Sequence, residues 1–385
     1  MRLTWPQAIG WRLARHHLPS GSSLGRSVAT LVSVASDICG AHAQVGASAE
    51  LMLGLRVPGI TRRDVRVAAW ETRTLVKTVG LRGTLHLLPA GEVPLWMAAN
   101  RLRFPAEERR LAGAGIDLDE LQGVVRAIGD ILGPEPIGRP ELEHELEERV
   151  GGWAIATNQG FVGTYRNWPM ALGWAAALGL VCYGPGEGGR STFVRLADWS
   201  GWREEDPVAA GAFALRRFLH AYGPSTQAEF SRWFALAPAL TRQLFDAVGQ
   251  DLAEVEVEGS RRLMLASDLD GPFEAAPDAV HLLPHYDVFV VGSHPRSELI
   301  PADSPIVPVS PGTAAPLAVL LVGGKVAGVW ERRPKGKRLL IRVDAYVKLT
   351  RKQRSAVEEQ AERVAHIMER GCELEFGEVR LRRHS

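Results

Sequence analysis

With 385 residues, 46% of them apolar, the chain is long enough for about two to four domains with buried cores and too apolar to be disordered. A net charge of +1 excludes a strongly polycationic binder but allows a local basic face where acidic residues are segregated elsewhere. Arginine exceeds lysine, as a GC-rich genome explains without phosphate recognition, and Cys39, Cys182 and Cys372 form no CxxC or other zinc spacing, so reduced thiols are expected.

Met1 to Pro6 lacks the apolar core of a secretory signal. Helices are expected from Trp5 to about Glu71. Within them Val28, Leu31, Val32, Val34, Ala35 and Ile38 recur at helical spacing, and Gly40 stands where a C-terminal cap belongs. Gly46-Ala47-Ser48 offers an N-cap to a helix carrying Leu51, Met52 and Leu55. Between the two lies His42-Ala43-Gln44, an extended link whose i, i+2 pair points two polar side chains the same way. Either residue can simply satisfy loose backbone groups there, or the pair can carry chemistry.

Strands follow around Leu75–Thr78 and Gly83–Leu88, where Arg82, Thr84 and His86 alternate with Gly83, Leu85 and Leu87. That polar face is either a solvent face with a satisfied histidine or a surface offered to a ligand. From Ile137, a helix with Pro140 in its first turn and Leu142, Leu146 and Val150 on one face precedes a second helix, Met170 to Leu178. Strands Leu180–Tyr183 and Ser191–Leu196 then flank the tip Gly184-Pro185-Gly186-Glu187-Gly188-Gly189. This tip matches GxGxxG by letter, but it joins two strands, whereas a dinucleotide site needs a helix N-terminus.

A second helix, helix, hairpin unit starts at Tyr222-Gly223-Pro224-Ser225-Thr226, with Ser225 or Thr226 as cap, a further helix Ala237–Ala247, and strands Leu252–Val257 and Arg262–Leu265. From about Val280 the texture turns to strands: His281–Pro284, Asp287–Val291, Ala318–Val322, Val326–Trp330 and Leu339–Val343, then a helix Arg351–Arg370 and a last strand Glu373–Phe376. The proline-rich stretch Ser293–Pro316 reads as a loop, and Ala314–Val322 is too short to span a bilayer. His281, His285, Asp287 and His294 do not converge at metal-ligand spacing, so no metal or other cofactor is expected.

Arg332-Arg333-Pro334-Lys335-Gly336-Lys337-Arg338 is the densest basic cluster and lies between two apolar strands. It reads as an exposed hairpin tip able to enter a groove or straddle a phosphate backbone. Repeated helix, helix, hairpin units are the outline of winged helices. The expected fold is α+β, with three tandem winged-helix domains at 1–115, 116–205 and 206–272 and a small C-terminal β-barrel-like domain at 273–385 closed by a helix.

Several separated motifs, in order, resemble the AlkZ/YcaQ-like DNA glycosylases nearly end to end: Leu81-Arg82-Gly83-Thr84-Leu85-His86-Leu87, Tyr222 to Thr226 with Trp233, Leu282-Leu283-Pro284-His285-Tyr286-Asp287, and Gly324 to Trp330. The resemblance implies three winged helices and a C-terminal barrel, and it implies hydrolysis of the N-glycosidic bond of N7-alkylguanine, bulky genotoxin adducts and interstrand cross-links included. Its catalytic Gln-x-Gln or Gln-x-Asp motif falls on His42-Ala43-Gln44, with histidine replacing the first glutamine. The expected catalytic pair is therefore His42, accepting a proton from water, and Gln44, orienting that water. Expected DNA contacts are Arg332, Arg333, Lys335, Lys337 and Arg338 of the hairpin, with Arg82 and His86. No lysine adjoins the motif, which fits a monofunctional enzyme without a Schiff-base step. The expected partner is double-stranded DNA containing alkylated guanine, bound by a cytoplasmic, nucleoid-associated monomer with no membrane contact. The alternative is a non-enzymatic winged-helix DNA-binding protein, either a regulator or a sequestering protein.

Overall fold

The computed structural model describes residues 1–18, 27–45, 47–159, 164–186, 190–302, 304–305 and 317–379. Helices and sheets are interspersed along the chain, an α+β protein. Its compact units do not follow the linear boundaries at 115, 205 and 272. One gathers Met1–Ala68, Arg216–Phe230 and Val248–Arg383, and the other gathers Ala69–Leu215 and Ser231–Ala247.

In the first unit, Arg2–Leu3 adds a parallel strand to Leu252–Val257, which pairs antiparallel with Ser260–Leu265. The intervening Glu258 and Gly259 both have positive φ (46° and 81°), the backbone a two-residue hairpin requires. Helix Trp5–Arg15 opens with a Thr4/Gln7 capping box, and Val28–Asp37 is capped by Ser27. As expected, Gly40 ends the latter in left-handed conformation (φ 85°), its N–H donating to Ala35 O at 2.7 Å. Ala41–His42 forms a short strand, and helix Ser48–Gly54 follows with Ala47 as N-cap and no side-chain cap. Gly46 of the expected cap lies outside the described residues.

The C-terminal sheet of this unit has the order Val280–Leu283, Val319–Val322, Lys325–Lys335, Arg338–Ala345, Gly371–Phe376. Neighbours run antiparallel except the last, which is parallel because helix Arg351–Ile367 carries the chain back across the sheet. The order is linear with two edge strands, so the expected barrel is an open sheet among the described residues. It needs no closure because both faces are covered. Val357, Ala361 and Val364 of the long helix, with Leu51 and Leu55, pack on Leu282, Leu320, Trp330, Leu339, Ile341 and Val343. Ile9, Leu13 and Phe289 pack on the other side against Leu283, Val319, Leu321 and Val329. A Cβ on Gly54 would meet Ile367 at 2.8 Å, so glycine lets helix Ser48–Gly54 approach the long helix closely.

Asp287–Val291, expected as a strand, is instead the start of a short helix: Asp287 accepts the Phe289 N–H at 3.0 Å and caps Val288–Gly292. A four-residue apolar run, Val288–Val291, suits either structure, and the capping aspartate decides. The stretch Ser293–Pro316 includes a 3-10 turn at Arg296–Glu298, while residues 303 and 306–316 lie outside the described residues.

The second unit holds a sheet in the order Leu85–Pro89, Leu75–Val79, Cys182–Gly184, Thr192–Val194, Ile137–Gly138. Helix Leu118–Ile131 buries Leu121, Val124, Val125 and Ile128 at helical spacing, and Arg139–Val150 buries Leu142 and Leu146. The expected second helix is a 3-10 turn, Trp168–Ala171, continued by Leu172–Ala177. The following hairpin pairs Gly184 with Thr192, and residues 187–189 of its tip lie outside the described residues. An unanticipated hairpin, Thr157–Gln159 with Thr164–Arg166, precedes that turn.

Candidate active site

His42 ends its short strand buried, 4% exposed, and the chain then bends so that Gln44 is exposed. The two are thus brought together differently from the expected parallel pair: the Gln44 backbone N–H donates to His42 Nδ1 at 3.4 Å. That contact assigns the Nδ1 lone pair as acceptor and, in neutral imidazole, the proton to Nε2. The imidazole lies nearly parallel to the ring of Tyr286, centroids 4.9 Å apart and planes 11° apart.

Tyr286 stands in the turn before the Asp287-capped helix and carries a left-handed backbone, φ 58°. The turn is held by Asp287, whose N–H donates to Pro284 O and whose carboxylate accepts two hydrogen bonds from Arg56, Nη1 at 2.9 Å and Nη2 at 2.8 Å. Arg56 Nη1 also donates to Met52 O, and both charged side chains are 0% exposed. The pair is bidentate and Asp287 also accepts the Phe289 N–H, which offsets the cost of burying both charges, while Arg56 Nε has no hydrogen-bond partner among the described residues. Tyr286 and Asp287 entered the sequence reading only within the family motif, a rejected metal set and an expected strand, and Arg56 did not enter it. The aspartate before an apolar run was the available signal.

The basic hairpin is longer than expected, its strands running through the cluster to a two-residue turn, Gly336-Lys337, with Gly336 at φ 58°. Its cations are not equivalent. Arg332 is half-buried, and burial together with Arg62 lowers its pKa while Glu50 opposes that shift. Glu50 itself bridges Arg62 (3.2 Å) and Arg66 (2.6 Å). Arg333 pairs with Glu331 and Lys335 with Glu373. Lys337 and Arg338 are exposed and pair with no carboxylate among the described residues.

In the second unit the expected polar face at Arg82, Thr84 and His86 does not form. Arg82 (φ 54°) and Gly83 (φ 75°) turn the chain left-handed, and the strand begins only at Leu85. His86 is 4% exposed with Nδ1 3.0 Å from Thr84 O, an interior histidine and not a surface one. Arg82 stays half-exposed near Arg103, whose pKa is lowered by burial, with Arg82 and Arg110 adding to that shift and Glu107 opposing it. Among the described residues no three His, Cys, Asp or Glu side chains are grouped as metal ligands. No helix there is long and apolar enough to cross a membrane.

The family described as DNA glycosylase AlkZ-like matches residues 35–367. The chain belongs to that family. The AlkZ-like match takes in His42, Gln44, Arg56, the basic hairpin and Tyr286-Asp287. A curated relative, an interstrand DNA cross-link repair glycosylase of Streptomyces sahachiroi, is 28% identical over 351 residues, 86% of this chain and 88% of its own. The solved structure of Streptomyces sahachiroi DNA glycosylase AlkZ superposes with a TM-score of 0.75 at 26% identity, covering 98% of this chain and all of that one. This AlkZ-like chain is a DNA glycosylase, so its substrate is DNA and its chemistry is at the bond between base and sugar.

Proposed function

We propose that the chain hydrolyses the N-glycosidic bond of N7-alkylguanine in duplex DNA, including bulky adducts and interstrand cross-links, with His42 and Gln44 handling the attacking water. The observation that carries this reading is the His42–Gln44 contact, a buried imidazole whose Nδ1 faces the backbone of an exposed glutamine. The relative named for interstrand cross-link repair supports the choice of lesion.

Alkylation at N7 makes the purine cationic, so the leaving group departs with little help. As the bond from C1′ to N9 breaks, its electron pair neutralises the purine cation, and the sugar becomes oxocarbenium-like. Water displaces the Gln44 N–H from the His42 Nδ1 lone pair, a contact long at 3.4 Å, and passes its proton to Nδ1 as it adds at C1′. The Gln44 amide carbonyl orients the same water. The products are neutral N7-alkylguanine and an abasic site, with no covalent enzyme intermediate, and the enzyme is monofunctional.

The repeated helix, helix, hairpin units are three winged helices in tandem, at 1–115, 116–205 and 206–272, with the C-terminal domain from 273. They grip DNA as a monomer in the cytoplasm, on the nucleoid. Lys337 and Arg338 meet phosphates beside the lesion, with Arg332, Arg333 and Lys335 adding to the basic surface of the hairpin, and Arg82 is a further DNA contact. The role is base excision repair or self-resistance to a genotoxin. The test is a duplex carrying one N7-alkylguanine, methyl or bulky, incubated with the protein and heated in alkali. The proposal predicts strand cleavage at that base with both adducts. Cleavage no faster than spontaneous depurination with either one would contradict it.

A further inference from the structure

We infer that Tyr286 is a positioning residue for His42, setting the plane of the imidazole. The inference rests on the proposed role of His42. Two restraints are needed to aim one nitrogen at a water: one fixes the ring's rotation, the other selects the atom. The near-parallel stack, 4.9 Å between centroids and 11° between planes, supplies the first. In the resting site the 3.4 Å contact from the Gln44 N–H marks Nδ1 as the nitrogen that bears the lone pair, and the water takes the place of that contact when it donates.

The backbone beneath Tyr286 argues that this placement is selected. A tyrosine at φ 58° is strained, and such strain persists only where the surroundings over-determine it. Here Asp287, the next residue, is locked by the bidentate pair with Arg56, by the Phe289 N–H and by its own N–H to Pro284 O. Arg56 in turn donates to Met52 O, on the helix that follows the His42 motif. Two adjacent residues, Tyr286 and Asp287, therefore clamp one segment at two points, by a stack at His42 and by an ion pair at Arg56. The half-buried phenol forms no hydrogen bond to any described residue, so the ring and not the hydroxyl makes the contact.

The test is a kinetic cycle on duplex carrying one N7-methylguanine, using Tyr286→Phe, Tyr286→Gly, His42→Ala and the His42→Ala, Tyr286→Gly double variant. Glycine adopts the left-handed turn without strain, so the variant without a ring keeps its backbone. Equal melting temperatures for the parent and Tyr286→Gly verify this. Tyr286→Gly is expected to slow the single-turnover rate about tenfold to a hundredfold, the scale of a misplaced catalytic group, with DNA affinity unchanged. Tyr286→Phe is expected to stay within about twofold of the parent, and Tyr286→Gly to cost no more than about twofold once His42 is alanine. A full Tyr286→Gly loss persisting in the His42→Ala background overturns the inference and leaves the His42 reading intact, as does a loss confined to DNA affinity. Parental activity in His42→Ala instead overturns the reading on which the inference rests.

Discussion

His281 and His16 are buried in the first unit without being part of the proposed chemistry, and both resist protonation. Burial, reinforced by Arg56 and then Arg363, brings His281 to about 3, and burial with Arg56, His17 and Arg12 holds His16 well below its ordinary value. Each is neutral when folded but takes up a proton when unfolded. Stability is therefore full above the unfolded value, about 6.5, and falls as pH drops below it. The loss for His281 continues to about 3, at about 1.4 kcal/mol per pH unit per histidine. Urea denaturation across this range is expected to show, for His281→Phe, a dependence of stability on pH shallower than the parent's by about one proton. An unchanged slope would contradict the assignment. At this scale His42 and Gln44 were legible as letters, and their shared link was correctly located. The contact between the Gln44 N–H and the His42 ring was not, because it depends on a bend that no spacing rule encodes. Nor was the stack on Tyr286, which comes from far along the chain.

Hairpins and capped helices were the most readable elements. Leu252–Val257 follows directly from its alternation and the Glu258-Gly259 turn, and Thr226 caps helix Gln227–Phe234 through a reciprocal pair with Glu229. The reading failed where left-handed residues interrupt a pattern: Arg82 and Gly83 break the alternation that had put His86 on a polar face. It also failed to sort the cations of the basic hairpin, since Glu331 and Glu373, which occupy Arg333 and Lys335, sit on the sheet around them. The free pair, Lys337 and Arg338, should then carry most of its phosphate contact. Replacing both by serine is expected to flatten the slope of log affinity against log salt by roughly 2, one per lost phosphate contact. Replacing Arg333 and Lys335 is expected to change it less. Fluorescence anisotropy with labelled duplex over a salt series measures both, and equal slopes for the two double variants would contradict this division.

Across the whole molecule, a net charge of +1 conceals the segregation of cations on one hairpin, and composition alone could not reveal it. The open C-terminal sheet, covered on both faces, shows why a run of apolar strands need not close into a barrel: beside the expected helix Arg351–Ile367, the covering helices come from the N-terminal region and from the Asp287 turn, segments that local periodicity cannot assign to the sheet. The same long-range assembly joins Arg2–Leu3 to Leu252–Val257 and makes the compact units cut across the linear division. Membership of the AlkZ-like family fixes the bond that is cut, and the His42–Gln44 pair is the account's statement of how. The most direct test is the single-turnover rate of base release from duplex carrying one N7-methylguanine, for the parent and His42→Ala at matched, saturating protein. A positioned base is worth ~10²–10⁴ in rate, so the account predicts a loss of that size. A His42→Ala enzyme as fast as the parent would contradict it.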